Sequence, residues 1–145
     1  MSQNNWIDEP LYLKIKEKMP ISCVDLLIVH DGKLLLMLRN NEPGKDLWFT
    51  PGGRIYKNEV LRDAIKRVLK KETGLESTNI TQTGTMCHIW PMVHTVTTYY
   101  TMKVDSNQIQ LNSEHRDYRW IEEIEKDLHP YLIEMITNSN IFPKS

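Results

Sequence analysis

Residues 53–75, GRIYKNEVLRDAIKRVLKKETGL, contain the clearest periodic pattern in the chain. Apolar residues recur there at intervals of three and four, which predicts one apolar face of an α-helix. They are Leu61, Ala64, Ile65, Val68 and Leu69. Asn58 is the predicted N-cap and Gly74 the predicted end of this helix. Because Pro51-Gly52-Gly53 stands directly before the stretch, we predict a glycine turn that leads into an amphipathic helix.

The same stretch resembles the Nudix box, G-x5-E-x7-R-E-U-x-E-E-x-G-U, in which U is a bulky aliphatic residue. The matching residues are Gly53, Glu59, Arg67, Leu69, Glu72, Gly74 and Leu75. The resemblance implies an α/β fold, the Nudix α/β/α sandwich with a mixed central sheet and the Nudix loop–helix. It also implies Mg²⁺-dependent hydrolysis of a nucleoside-diphosphate derivative.

Two positions depart from the box, since Val68 and Lys71 stand where it has acids. Residues 68, 71 and 72 share one helical face, and in ordinary members that face presents carboxylates to several Mg²⁺ ions. Only Glu72 is acidic here, so we expect fewer metals, down to one. Without the flanking glycines, the polar side of this helix would be interpreted as a solvated face with pairs such as Asp63–Arg67.

The rest of the chain predicts strands and helices that interleave without strict βαβ alternation. Asp31-Gly32 between two apolar runs predicts a hairpin of residues 23–30 and 33–39. Further strands are predicted over residues 47–50, 80–89, 95–104 and 118–121, and residues 112–117 are a predicted loop. Helices are predicted over residues 10–18 and 130–137, with another helical piece before the last. We therefore predict one domain, residues 1–145, with helices on both faces of a mixed sheet.

Bulk composition favours a soluble cytoplasmic protein. The net charge is −1, with 40% hydrophobic and 26% charged residues, so nothing draws the chain to nucleic acid or an anionic membrane. No apolar run approaches the ~20 residues that span a bilayer. The first ten residues lack a signal pattern. Cys23 and Cys87 fit no metal-ligand spacing, and we expect reduced core residues.

Outside the box, the sequence is similar to one Nudix branch, GDP-mannose mannosyl hydrolase. The similar stretches are residues 20–29, 41–59, 97–100 and 114–120. That branch also lacks part of the acidic set. The resemblance implies one Mg²⁺, a histidine base, water attack at the anomeric carbon of a GDP-sugar, departure of GDP, and a homodimer. Which sugar and which base are bound stays open.

The resemblance also implies a metal site. The carbonyl of Gly52 and the carboxylate of Glu72 match metal ligands of the branch. Glu114 stands where the branch has a glutamine ligand, and a carboxylate binds Mg²⁺ more strongly than an amide. Its extra negative charge would repel the diphosphate, and we hypothesise that Lys71 offsets it.

His115 matches the general base of the branch, and an ordinary pKa near ~6.5 suits proton removal from water at neutral pH. As a lone loop histidine it would be ordinary surface. His88 and His94 are alternatives, because the branch has a second functional histidine in that area.

Arg39 and Arg54 match arginines that hold the diphosphate, and guanidinium groups suit phosphate oxygens. Tyr100 matches a tyrosine that donates to the leaving phosphate; an ordinary sheet tyrosine is the alternative. Asp25 matches a carboxylate that faces the sugar. A charge in an apolar strand is costly, which supports a role in the site independently.

Glu59 and Arg67 are interpreted as a pair that orients the helix rather than as catalysts. Trp48 and Trp120 are either core residues or a stacking surface for the base.

Two other functions stay open. An ordinary Nudix pyrophosphatase would attack phosphorus in a nucleoside triphosphate, an ADP-ribose-like compound or another nucleotide sugar; Glu114 favours it and the incomplete acidic cluster disfavours it. A Nudix module that binds a nucleotide without chemistry is suggested by Val68 and Lys71, and is opposed by Glu72, Glu114 and His115.

Overall fold

A computed structural model describes residues 6–143. Its helices are α1 (Glu9–Lys18), α2 (Leu61–Thr73) and α3 (Pro130–Asn138), and its strands are β1 (Ile21–His30), β2 (Lys33–Arg39), β3 (Trp48–Phe49), β4 (Gly52–Arg54), β5 (Ile80–Ile89), β6 (His94–Lys103) and β7 (His115–Ile121). None of these helices is long and apolar enough to cross a membrane. The prediction about the first ten residues falls partly on residues 1–5, which lie outside the described residues.

The strands form one mixed sheet around β1. β1 runs parallel to β6 and antiparallel to β2 and β4, while β5 flanks β6 and both β3 and β7 pair with β2. Asp31 and Gly32 connect β1 to β2 with φ angles of 53° and 76°. Two consecutive positive φ angles are the geometry that a tight hairpin needs, so the predicted hairpin is confirmed.

The two faces of the sheet carry separate apolar clusters. Because side chains alternate along a strand, Val24 and Leu26 pack on one face against α2, whose Val68 and Leu69 are buried there. Leu27 points to the opposite face, where α3 covers it with Leu132, Met135 and Ile136. The predicted α/β/α sandwich is therefore confirmed. Burial of each such side chain contributes on the order of 1.5–3 kcal/mol.

The start of α2 differs from the prediction. The helix begins at Leu61 after Val60, which makes no side-chain cap. Asn58 has a φ of 66°, in the left-handed region rather than the extended region of an N-cap, so that prediction is wrong. The predicted end is confirmed: Gly74 has a φ of 77°, and its N–H donates to the Lys70 carbonyl at 2.9 Å.

Three further predictions are corrected. β7 begins at His115, so the loop predicted over residues 112–117 ends sooner, because strand pairing places His115 opposite Arg39. The helical piece predicted before α3 is wrong, since residues 122–129 form turns and irregular backbone. Cys87 is exposed on the edge strand β5 instead of in the core, whereas Cys23 is half-buried; both are free thiols.

Candidate active site

The glycine turn before α2 lies directly against β1. Gly52 faces Asp25 in the β1–β4 pairing, and the Leu26 N–H donates to the Pro51 carbonyl at 2.9 Å. A Cβ atom on residue 52 would overlap Asp25 Oδ1 and lie 2.7 Å from the Val24 carbonyl oxygen. Glycine is therefore the residue that fits here while Asp25 keeps its place.

Asp25 is a nearly buried carboxyl group, 8% exposed, on the wall of a cleft. Burial raises the pKa of Asp25 to about 8, and the positive charge of Arg39 opposes this only in part. The carboxyl group is therefore largely protonated at neutral pH. In that form it can donate a hydrogen bond to a ligand oxygen.

Glu72 and His115 meet inside the fold, where α2 packs against β7. His115 Nδ1 lies 3.2 Å from Glu72 Oε2, and the two side chains are 2% and 3% exposed. Burial acts to raise the pKa of Glu72. Contacts from His115, Glu114 and Asn112 act the other way and prevail, so its pKa lies below the ordinary value. Glu72 thus carries a buried negative charge.

Glu114 is the second carboxylate of this cluster. Its interaction with Glu72 raises the pKa of Glu114 most, burial adds to the rise, and Lys71 opposes it. Lys71 Nζ lies 3.4 Å from Glu114 Oε1, which places the cation where our hypothesis requires it. A cation bound between two neighbouring carboxylates would relieve their mutual repulsion.

Asn112 organises this pair, and sequence reasoning missed it. Its Nδ2 donates to Glu72 Oε2 at 3.1 Å, and its Oδ1 accepts from the Glu114 N–H at 2.9 Å. One amide group therefore holds the Glu72 carboxylate and the backbone of Glu114. The only sequence signal was its position, two residues before Glu114.

The oxygen donors of this region fit a magnesium ion. Mg²⁺ prefers carboxylate and carbonyl oxygens and keeps several waters. Glu72, Glu114 and the carbonyl of Gly52 supply such donors. Across residues 6–143 no group of three or more histidine, cysteine or acidic side chains could hold a metal. A metal here would therefore rely on two carboxylates, backbone carbonyls and water.

Glu59 and Arg67 form the predicted pair. Arg67 Nε donates to Glu59 Oε2 at 2.7 Å and its Nη2 donates to Glu59 Oε1 at 2.9 Å. Nη2 also donates to the Arg54 carbonyl at 2.8 Å, and the guanidinium lies 3.6 Å from the centre of the Tyr56 ring. Arg67 thus ties α2 to the turn before it, and the predicted pairing of Glu59 with Arg67 is confirmed.

A cleft of about 340 Å³ opens beside this cluster. Five of the predicted site residues line it: Asp25, Arg39, Gly52, Arg54 and Glu114. Lys16 of α1 adds a third cation. The cleft therefore combines positive charge with carboxyl groups.

A second cleft of about 640 Å³ adjoins the first. Tyr12, Lys16 and Arg54 line both. The second is mainly aromatic and apolar, with Trp6 and Tyr56 in its wall. The Arg54 guanidinium lies 5.9 Å from the Tyr12 ring centre and 4.7 Å from that of Tyr56. Sequence reasoning missed the role of α1, because the position of Tyr12 over Arg54 depends on tertiary packing.

Three predicted residues, Glu72, His115 and Tyr100, are not among those that line the clefts. His115 is buried behind Glu72. Tyr100 is 4% exposed and packs in the cluster beneath α2, and its hydroxyl has no hydrogen-bond partner within residues 6–143. The structure therefore does not bring Tyr100 to the same wall as Arg39.

The structure also distinguishes His88 from His94 and locates the two tryptophans, Trp48 and Trp120. His88 lines the first cleft and stacks on Tyr131 with ring centres 4.7 Å apart, whereas His94 does not line it. Trp120 packs against the cluster beneath α2, and Trp48 packs against the cluster beneath α3. Both tryptophans are therefore partly buried at the margins of the core, and neither lines the two clefts.

Comparison with known proteins gives a family and several relatives. A model of the NUDIX domain matches residues 19–136. The low-salt glycan biosynthesis protein Agl8 of Haloferax volcanii is 32% identical, over 90% of this chain and 93% of its own length. An ADP-ribose pyrophosphatase of Methanocaldococcus jannaschii is 41% identical over 56 residues, which cover 39% of this chain and 33% of that protein.

Solved structures share the fold. A MutT NUDIX hydrolase from Burkholderia pseudomallei has a TM-score of 0.74 and 22% identity, covering 83% of this chain and 98% of that one. The NUDIX domain of Shewanella oneidensis NrtR, crystallised with ADP ribose, has a TM-score of 0.73 and 24% identity, covering 92% and 97% of the two chains.

Proposed function

The chain belongs to the NUDIX domain family, and from that premise we propose that it hydrolyses a nucleotide sugar with Mg²⁺, with a GDP-hexose as its substrate. The observation that carries this proposal is that the two clefts adjoin each other and share lining residues. An aromatic cleft continues, through Tyr12, Lys16 and Arg54, into a cleft with cations and carboxyl groups. Base, diphosphate and sugar are the successive parts of a nucleotide sugar, and the groove offers matching chemistry in that order.

The aromatic cleft suits the nucleobase. Base–aromatic stacking stabilises binding by about 1–3 kcal/mol per base, and Trp6, Tyr12 and Tyr56 supply the rings. Lys16, Arg39 and Arg54 then lie where the diphosphate would follow. Arginine side chains suit phosphate oxygens because their planar forks match two oxygens at once. They also stabilise the charge that grows on a departing diphosphate.

A Mg²⁺ ion held by Glu72, Glu114 and the Gly52 carbonyl would neutralise diphosphate charge and orient the leaving group. The residues around it have their own tasks. Asn112 keeps the Glu72 carboxylate in place and holds the backbone that carries Glu114. Lys71 offsets the additional charge of Glu114 from 3.4 Å.

His115 is the proposed general base. Glu72 Oε2 beside Nδ1 favours the tautomer in which Nδ1 carries the proton, which leaves Nε2 as the acceptor. Because the His115 side chain is 2% exposed, the attacking water must be one enclosed within the fold rather than bulk water. Proton transfer to Nε2 gives an imidazolium that the Glu72 charge stabilises.

Asp25 and attack at carbon complete the proposal. A largely protonated carboxyl group on the cleft wall can donate a hydrogen bond to a sugar hydroxyl. The similarity of residues 20–29 and 114–120 to the GDP-mannose mannosyl hydrolase branch supports attack at the anomeric carbon with release of GDP. The name of the Haloferax relative, a glycan biosynthesis protein, also points to activated sugars.

The proposal is tested by product analysis with GDP-mannose and Mg²⁺ in ¹⁸O-labelled water. Attack at carbon yields unlabelled GDP and mannose that carries the label. Attack at phosphorus yields GMP and mannose 1-phosphate. The matched control is Glu72→Gln, which has nearly the same shape and should lose turnover if the metal site is correctly assigned.

Attack at phosphorus is the second candidate function. It is favoured by Glu114, a carboxylate where the similar branch has an amide, and by the ADP-ribose pyrophosphatase relative. Formation of GMP, or turnover of ADP-ribose in preference to GDP-sugars, would establish it. No turnover of any nucleotide, with calorimetric binding that ignores Mg²⁺, would instead establish a binding module.

We also propose a homodimer, as the branch resemblance implies. Exposed apolar side chains that do not line the clefts, Leu11 of α1 and Met19 after it, would be covered by a second copy. Sedimentation velocity that shows a mass of two chains at micromolar concentration would support the dimer, and a single-chain mass would refute it.

A further inference from the structure

The loop between β2 and β3 packs on the side chain of Arg39. Arg39 Nε donates to the Pro43 carbonyl at 2.7 Å. A Cβ atom on Gly44 would lie 3.4 Å from Arg39 Cδ, so the loop backbone lies against the stem of the arginine. With Nε engaged by Pro43, the two terminal nitrogens remain to bind a phosphate. The conformation of residues 40–46 therefore determines where the Arg39 guanidinium points.

The base of this loop is fastened to the segment that carries Glu114. The Asn40 N–H donates to the Glu114 carbonyl at 2.9 Å, and Asn40 Nδ2 donates to the Ser113 carbonyl at 2.9 Å. The Asp46 N–H donates back to the Arg39 carbonyl at 2.9 Å. Arg39 and Glu114, the candidate phosphate and metal ligands, are thus held in one local assembly.

Arg116 contacts both ends of the same loop. Its Nη2 donates to Asp46 Oδ1 at 2.7 Å, and its Nη1 donates to Asn40 Oδ1 at 3.0 Å and to the Arg39 carbonyl at 3.2 Å. We propose that Arg116 is a positioning residue, a latch that holds residues 40–46 so that Arg39 faces the diphosphate. This inference rests on the proposed function, in which Arg39 binds phosphate.

This geometry indicates that Arg116 affects the conformation of residues 40–46 rather than the stability of the whole fold. The side chains of Arg116 and Asp46 are 45% and 63% exposed, and an exposed ion pair adds little to the stability of the whole fold. The three acceptors of the Arg116 guanidinium lie at the two ends of one loop. The guanidinium therefore restrains this loop more than it stabilises the whole fold. Asp46 also has a φ of 69°, a conformation that aspartate adopts only at a cost, and the contact with Arg116 helps to maintain it.

The test compares Arg116→Ala, Arg116→Lys and Arg62→Ala with the unmodified protein. Arg62 is an exposed arginine on α2 and serves as the matched control. We expect Arg116→Ala to raise KM for GDP-mannose, and the Kd for GDP with Mg²⁺, roughly tenfold, with kcat within about twofold. Arg116→Lys keeps the positive charge beside Asp46 but loses the two-pronged guanidinium group. Its KM should therefore lie between that of the unmodified protein and that of Arg116→Ala. Arg62→Ala should change nothing.

A second measurement does not depend on any substrate. Hydrogen exchange of the Asp46 and Asn40 amides should quicken about tenfold in Arg116→Ala while the amides of β1 remain unchanged. Unchanged hydrogen exchange at these amides in Arg116→Ala would refute the proposed role of Arg116. So would an unchanged KM in that variant, provided that the unmodified protein is active. Failure of the unmodified protein to bind GDP or to turn over would instead refute the proposed function, and exchange at Asp46 would still decide whether Arg116 restrains the loop.

Discussion

Asp25 Oδ1 occupies the space that a Cβ atom on residue 52 would need. Gly52→Ala should therefore displace either the carboxyl group or the glycine turn. Overpacking of this kind costs about 1–3 kcal/mol. We expect the free energy of unfolding, measured with urea, to fall by that amount, and turnover to fall as well, since the Gly52 carbonyl is a proposed metal ligand.

The neighbouring glycine supplies the control for this prediction. A Cβ atom on Gly53 would lie 3.2 Å from Val68 Cγ2, a contact that a small shift relieves, so Gly53→Ala should cost less. In an Asp25→Ala background the cost of Gly52→Ala should shrink, with a remainder from the Val24 carbonyl 2.7 Å away. Equal costs in both backgrounds would show that Asp25 is not the obstacle.

Glu72→Gln should abolish metal binding and activity without unfolding the protein. The substitution removes a buried charge beside His115 Nδ1 while it retains an oxygen that Asn112 can contact. We expect calorimetric Mg²⁺ binding to be lost and kcat to fall at least about 100-fold, with the fold intact by circular dichroism. Glu76→Gln is the matched control, because that glutamate is exposed, lies 3.8 Å from Lys70 and does not line either cleft. Full turnover in Glu72→Gln would remove Glu72 from the metal site.

Arg67→Ala should destabilise the turn before α2. The side chains of Arg67 and Glu59 are 25% and 14% exposed, and the loss of a hydrogen-bonded partner leaves the Glu59 charge partly buried. The expected cost is about 1–3 kcal/mol in the free energy of unfolding. Breaking the exposed pair Lys70–Glu76 with Lys70→Ala should cost no more than about 0.5 kcal/mol. Equal costs would mean that Glu59–Arg67 is an ordinary surface pair.

Local patterns predicted the elements whose structure depends on neighbours in the chain. The apolar face of α2, the Asp31-Gly32 hairpin and the end of α2 at Gly74 are all as expected, because periodicity and turn chemistry determine them over a few residues. The pairing of Glu59 with Arg67 followed from the register of the box. These features also place the glycine turn against β1.

Features that depend on distant partners were missed or misplaced. Asn58 has the chemistry of an N-cap, yet the turn is organised by Glu59, whose Oε1 accepts the Tyr56 N–H at 3.0 Å. His115 is a strand residue because β7 pairs with β2, which a short polar segment does not reveal. Tyr12 belongs to the clefts because α1 packs over Arg54. Tertiary contacts determine each of these, and none has a local signature.

Tyr100→Phe distinguishes a catalytic hydroxyl from a core tyrosine. The hydroxyl is buried beneath α2 without a hydrogen-bond partner in the described residues, and burial raises the pKa of Tyr100. Removal of an unsatisfied buried hydroxyl should leave stability unchanged or raise it by up to about 1 kcal/mol. We expect kcat to stay within about twofold. A fall of tenfold or more with unchanged stability would instead support donation to the leaving phosphate.

His88 predicts how stability depends on pH. Burial lowers the pKa of His88 to about 4, and the neighbouring His129 adds to the effect. In the unfolded chain the imidazole has its ordinary pKa near ~6.5, so between about pH 6.5 and pH 4 the unfolded chain holds a proton that the folded chain does not. The contribution of His88 to stability is therefore complete above about pH 6.5 and declines as the pH falls towards 4.

The comparison of the unmodified protein with His88→Phe isolates this effect, because the acidic groups contribute equally to both. Phenylalanine keeps a ring against Tyr131, which His88 stacks upon with ring centres 4.7 Å apart, but binds no proton. Between pH 7 and pH 5 the unmodified protein should lose about 2 kcal/mol more of its unfolding free energy than the variant does. Equal losses in the two proteins would mean that His88 takes up its proton in the folded state as readily as in the unfolded chain, so that burial among Phe49, Trp90 and Tyr131 does not exclude the charged imidazolium.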